Sequence, residues 1–205
     1  MAVMLMILAG AQSCLEKYPG DALPEDAAMQ SLSDAEQSLI GMYASFKSSA
    51  LYSGYLTYLP DIQADLAYAV DGFSNIHGDI WQWNIRTTNE EVEAVYASLY
   101  TIIGQCNFFL DKVGKLRASL VDDNEIEHLD SWTGEVYCAR ALAYSELIKC
   151  YCKAYPLTGE PSSPDSKGDD AQAEQELGVM LRDSYYKEEI ARRSNLKESW
   201  DFVLR

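Results

Sequence analysis

Apolar positions along this chain recur at three- and four-residue spacing, the period of a helix with one buried face, and strand-like alternation is nearly absent. The clearest stripe runs Val92, Val95, Tyr96, Leu99, Ile102, Ile103, Cys106, Phe109, Leu110 and Val113, and predicts a long amphipathic helix. A second stripe, Ile126, Leu129, Val136, Ala143, Leu147, Ile148 and Tyr151, predicts another. Asp122 or Asp123 caps its start, and Pro156 ends it near Tyr155, because proline disfavours helix at the residue before it. Earlier, Ala35, Leu39, Met42, Tyr43 and Phe46 mark a shorter helix headed by a Ser33–Glu36 capping box. Thr88–Glu91 reads as a second box ahead of the Val92 stripe. Between residues 47 and 87 the pattern is less regular, with a short helix expected from Pro60 to Val70. Residues 157–176, rich in Pro, Gly, Ser and acids, read as an exposed loop. A last helix opens at Asn195, with Glu198 as its cap partner, and is still running at Arg205. The fold expected is all-α, built from antiparallel helix pairs. The final helix has two readings. One is a unit whose packing partner is missing, in a fragment or an interrupted reading frame; the other is a short terminal helix docked back on the earlier pairs.

The N-terminus carries a different pattern. Ala2 to Ala11 is uncharged, and about ten apolar residues are too few to span roughly 30 Å of hydrocarbon but suit the core of a secretory signal. Ser13 and Cys14 follow, then a polar, turn-rich stretch with Pro19, Gly20 and Pro24. This resembles the cleavage site of a bacterial lipoprotein precursor, in which Cys14 becomes the first mature residue and is acylated. The chain then divides into a signal peptide (1–13), a lipid-anchored tether (14–31) and a helical domain (32–205). An ordinary signal peptide, or an apolar helix with a chance cysteine, remains the alternative. No Lys or Arg precedes Lys17, so the usual basic start is missing, a gap that an upstream start codon would explain.

Composition narrows the function. Hydrophobic content of 48% over 205 residues is enough for a folded core. Acids outnumber bases 32 to 16, for a formal charge of −16, whereas nucleic-acid binding needs a cationic surface to displace counterions from phosphates. Nucleic acid is therefore excluded as a partner. Cys106, Cys138, Cys150 and Cys152 form no CxxC pair, and Cys150 and Cys152 lie about 200° apart around a helix, so they read as apolar fillers. His77 and His128 are the only histidines, too little for a histidine-based metal site, and no cofactor is expected. The chain shows no nucleophile elbow and no phosphate-cradling glycine loop, and its acids specify no particular carboxylate pair. Binding is expected rather than catalysis.

Two groups of residues are candidates for more specific roles. Trp81 and Trp83, flanked by Asp79, Asn84 and Arg86, combine indole faces for stacking on sugar C–H faces with polar groups for hydroxyls. The competing reading makes the Trp pair a cap on the core between helices, and Tyr52, Tyr55 and Tyr58, at helical spacing, read as core. Glu135 and Arg140 are polar residues in the second long stripe, Arg140 on its apolar side, and read as a structural ion pair locking helices together.

Leu99-Tyr100-Thr101-Ile102-Ile103-Gly104-Gln105-Cys106-Asn107 resembles the "LYxxIxxxN" helix of the SusD/RagB-like lipoproteins. Glu135 to Tyr144, continuing to Tyr151, is similar to that family's "ExxxxRAxxYxxLxxxY" pattern. Leu177-Gly178-Val179-Met180-Leu181 resembles its "LGVPL" strand-like segment, with Met180 where Pro is usual, and Arg193 to Trp200 resembles the "RxTxxEVY" start of the next helix. The resemblance implies tetratricopeptide-like helix pairs in a surface lipoprotein of the outer membrane, anchored through Cys14. Such a protein captures an oligosaccharide or other nutrient and passes it to a TonB-dependent, SusC-like transporter on which it sits as a lid. Members are usually much longer, so the chain corresponds to the N-terminal part. Two further readings stay open: a helical-repeat scaffold that only grips a partner protein, and a truncated remnant without ligand binding.

Overall fold

The two long stripes fold into two long helices that pack along their length, and the architecture is all-α helix pairs as expected. The computed structural model describes residues 28–70, 76–185 and 192–205. Cys14, with the signal and most of the tether, lies outside the described residues. In chain order the helices are α1 (Leu32–Ser45), α2 (Tyr55–Gln63), α3 (Gly78–Trp81), α4 (Glu90–Ser119) and α5 (Asp123–Tyr151). A small hairpin of β1 (Leu157–Thr158) and β2 (Lys167–Gly168) and a one-turn helix α6 (Asp170–Ala173) occupy the stretch expected to be loop. β3 (Leu177–Met180), the segment likened to "LGVPL", pairs antiparallel with β4 (Arg193–Asn195), which leads into α7 (Leu196–Val203).

The core sits where α1 crosses the α4–α5 pair, with Leu99, Ile102, Ile103, Leu129, Ala143 and Leu147 fully enclosed. Each such Leu or Ile stabilises the fold by about 1.5–3 kcal/mol through burial. Cys106 is a core filler with Sγ 3.4 Å from Met42 Sδ, and burial pushes its thiol up to about 12. A smaller cluster of Leu59, Ile62 and Ile80 joins α2 to α3. The last helix docks on α5 and β3, with Leu196 buried and Phe202 edge-on to Tyr144 at 5.1 Å.

Several boundaries differ from the periodic reading. The first capping box is Ser31 with Asp34, two residues earlier than Ser33–Glu36, because Asp34 also gathers the backbone N–H groups of Gln30 and Ser31. Asn89 alone caps α4, accepting from Val92 N at 2.9 Å, while Glu91 turns away to His77. The α2 helix begins at Tyr55, ahead of Pro60, and carries that proline inside it rather than at its start. α5 ends at Tyr151 rather than near Tyr155: Arg193 Nη2 takes the Tyr151 carbonyl at 3.1 Å, and Cys152 turns extended. The Asp122 cap and the Asn195–Glu198 box are present as read.

Three side chains fasten the end of β3 and the residues after it to the long helices. Tyr100 donates to Met180 O at 2.9 Å and accepts from Met180 N at 3.1 Å. Tyr144 does the same with Arg182, at 3.0 and 2.7 Å. Asn107, 1% exposed, donates from Nδ2 to Arg182 O at 3.0 Å and accepts from Arg140 Nη1 at 2.9 Å. The Glu135–Arg140 ion pair is thereby corrected. Five residues apart on one helix, the two project about 140° apart. Arg140 goes to Asn107 and lies over the Tyr137 and Phe202 rings at 5.2 and 5.4 Å, and Glu135 accepts from the Tyr43 hydroxyl at 2.6 Å.

Candidate functional site

Residues 76–89 connect the α2 cluster to the start of α4 and hold every residue of the proposed ligand set. Here the chain folds by short turns: Trp83 N donates to Ile80 O, Asn84 N to Asp79 O, and Asn89 N to Arg86 O, at 2.8–3.1 Å. The two Trp residues part company. Trp81 closes α3 and packs beside Leu59, Ile62 and Ile80, with Tyr68 at 6.4 Å. Trp83 is 67% exposed and sits at φ 55°, the left-handed region that a bulky residue adopts only under constraint. One Trp therefore belongs to the core side and the other to solvent; they do not form a joint platform.

Asp79 and Arg86 do converge. Together with Asn89, Glu90 and Glu91 they line a polar recess of about 270 Å³. Asn84 is exposed on the ridge between Trp83 and Arg86. On the same ridge, Ile85 lines a second, more apolar recess of about 520 Å³ between α2, α4 and α5. A ring face, a polar recess and an apolar recess are thus reached from four consecutive residues.

His77 holds this ridge in place, a role that sequence reasoning missed. Its Nε2 lies 3.1 Å from the Tyr58 hydroxyl and its Nδ1 3.2 Å from Glu91 Oε1, linking α2, α3 and α4. With the proton on Nδ1, the ring donates to Glu91 and accepts from Tyr58. The Tyr55 and Tyr58 rings flank it at 5.9 and 5.3 Å, and burial raises the Tyr58 hydroxyl above its ordinary value. The only local signal was Glu91, which looked like half of a capping box.

A third depression, about 670 Å³ and almost wholly apolar, lies between α1 and α5, lined by Tyr43, Phe46, Tyr52 and Leu142. Among the described residues, no group of three His, Cys, Asp or Glu side chains is placed to hold a metal ion, and no helix is long and apolar enough to cross a membrane.

No family model matches the chain. A curated relative, SusD-like protein P2 of Formosa agariphila, is 26% identical over 150 residues, covering 73% of this chain and 28% of its own length. A candidate sugar-binding protein of Bacteroides vulgatus superposes with a TM-score of 0.64 at 24% identity, over 86% of this chain and 36% of that one. In sequence the chain is similar to a SusD-like protein, and its fold is similar to that of solved SusD superfamily proteins. A SusD superfamily protein of Bacteroides thetaiotaomicron matches with a TM-score of 0.62 at 18% identity, over 85% of this chain and 35% of its own. The chain spans about a third of the length of these solved relatives and 28% of the curated one.

Proposed function

We propose that this SusD-like chain belongs to a cell-surface lipoprotein that binds a glycan and passes it to a TonB-dependent, SusC-like transporter. Acylation at Cys14 would hold it at the outer membrane. Binding, without turnover, is the activity proposed. The observation that carries the reading is Trp83: a strained, 67% exposed indole on a ridge that also carries Asn84 and Arg86, beside Asp79, in a SusD-like fold. An exposed ring with polar neighbours offers a sugar both a stacking face and hydroxyl partners. Screening the purified chain against an array of neutral oligosaccharides tests this. Retention of one structural class of glycan is expected, and a blank array removes the reading.

One observation favours a second reading, a helical scaffold that grips a partner protein. The apolar depression between α1 and α5 is lined by Tyr43 and Leu142, each more than 40% exposed, and an exposed apolar patch of this kind suits a protein contact. A Leu142→Asp variant that keeps glycan binding but loses capture of the transporter would place both roles on separate faces.

A further inference from the structure

The apolar recess behind Ile85 has no place in sugar stacking. It is a half-open groove lined by Tyr55, Leu59, Pro60, Val92 and Tyr151, with Gln63 and the Glu146–Lys149 pair supplying its polar atoms. Its volume of about 520 Å³ falls within the range of ligand pockets, and its lining, apolar with a few polar groups, is of the kind that takes a small apolar body. Bare sugar would be a poor occupant, since hydroxyls facing Leu59 and Val92 would lose water without gaining partners. An acetyl group would leave most of the space unfilled. Tyr151 already spends its hydroxyl on Val92 O at 2.6 Å, which leaves its ring to line the recess.

Position supplies the link to the ridge. Ile85 is two residues from Trp83, a backbone span of at most about 7 Å, which sets the recess next to the ridge that carries the indole. We propose that this recess holds an aromatic acyl substituent, of the hydroxycinnamoyl ester type, carried by the bound glycan. The proposal rests on the glycan-binding reading and specifies its ligand class. The ring packs between Tyr55, Pro60 and Tyr151, while the Gln63 amide and the Lys149 ammonium are the donors at hand for ester or phenolic oxygens. Cys150 also lines the recess, and desolvation, with Glu146 beside it, raises its thiol to about 11.

Calorimetry with two probes tests this: methyl ferulate, and a feruloylated arabinoxylan oligosaccharide before and after saponification. The proteins are the wild type, Cys150→Phe and Val92→Phe, which fill the recess from two different helices, and Trp83→Ala, each checked by thermal melting. Methyl ferulate is expected to bind the wild type and to lose about tenfold or more in either filled variant, with no change in Trp83→Ala. The feruloylated oligosaccharide is expected to bind about tenfold tighter than its saponified form, an advantage that disappears when the recess is filled. Absence of methyl ferulate binding, or binding indifferent to both filled variants, overturns the proposal. Saponified and esterified sugars that bind equally, both weakened by Trp83→Ala, overturn it while leaving the glycan reading intact. Methyl ferulate binding with no glycan bound from any array contradicts the glycan reading, and the substituent proposal falls with it.

Discussion

Asn107 and Arg140 show what a single position contributes. Helical period alone put Arg140 on the apolar side of α5, and that placement is what the structure shows: the side chain is half-buried over two aromatic rings. Its partner was not legible, because Asn107 lies 33 residues away on α4 and an amide does not announce itself as the mate of a guanidinium. Replacing Asn107 by Ala would leave the Arg140 charge and the Arg182 carbonyl without this partner in a closed space. Arg182 O keeps the Tyr144 hydroxyl, so a loss of about 2 kcal/mol in urea unfolding is expected, the order of a hydrogen bond to a charged group. A loss below about 0.5 kcal/mol would mean that other groups or water take over those bonds. Trp83 teaches the reverse lesson. The ligand candidate was legible as a residue type, but its left-handed backbone and separation from Trp81 come from turns that periodicity does not encode.

At the scale of elements, the long helices were readable because their apolar stripes and most of their caps are local. The short strands were not readable from periodicity, since β3 and β4 exist through contacts made across the chain. β3 approaches α7 so closely that a Cβ on Gly178 would collide with Ser199 Oγ and the Asn195 carbonyl. Gly178→Ala is therefore expected to unpair β3 from β4 and lower the melting temperature by several degrees; hydrogen exchange at Val179 and Leu196 is the direct check. The tyrosine clamps add a pH dependence. Burial raises the Tyr144 hydroxyl to about 12, and hydrogen bonding to Glu135 raises that of Tyr43 to about 12, from an ordinary 10.0. The folded chain thus holds these protons more tightly than the unfolded chain does. Their contribution is intact below pH 10 and is lost as the pH rises toward about 12, so urea midpoints are expected to fall over that window. Midpoints that stay level across it would show that the clamps open without cost.

For the molecule as a whole, the fold class and the family likeness were legible because they rest on ordered helical patterns, and 86% of the chain superposes on a solved relative. The candidate site was legible only in part. Trp83, Asn84 and Arg86 share one ridge with Asp79 beside it, but the His77 brace and the apolar recess behind Ile85 depend on α2, α4 and α5 closing around it. The formal charge of −16 also sets a preference, because a strongly negative surface opposes the approach of polyanionic ligands and leaves uncharged glycans favoured. The central claim is that the exposed indole of this ridge binds sugar. Isothermal titration of the best array-selected neutral oligosaccharide into the wild type and Trp83→Ala, at matched melting temperatures, tests it most directly. A loss of about tenfold or more in affinity for Trp83→Ala is the expected result. Equal affinity for the two proteins would contradict it.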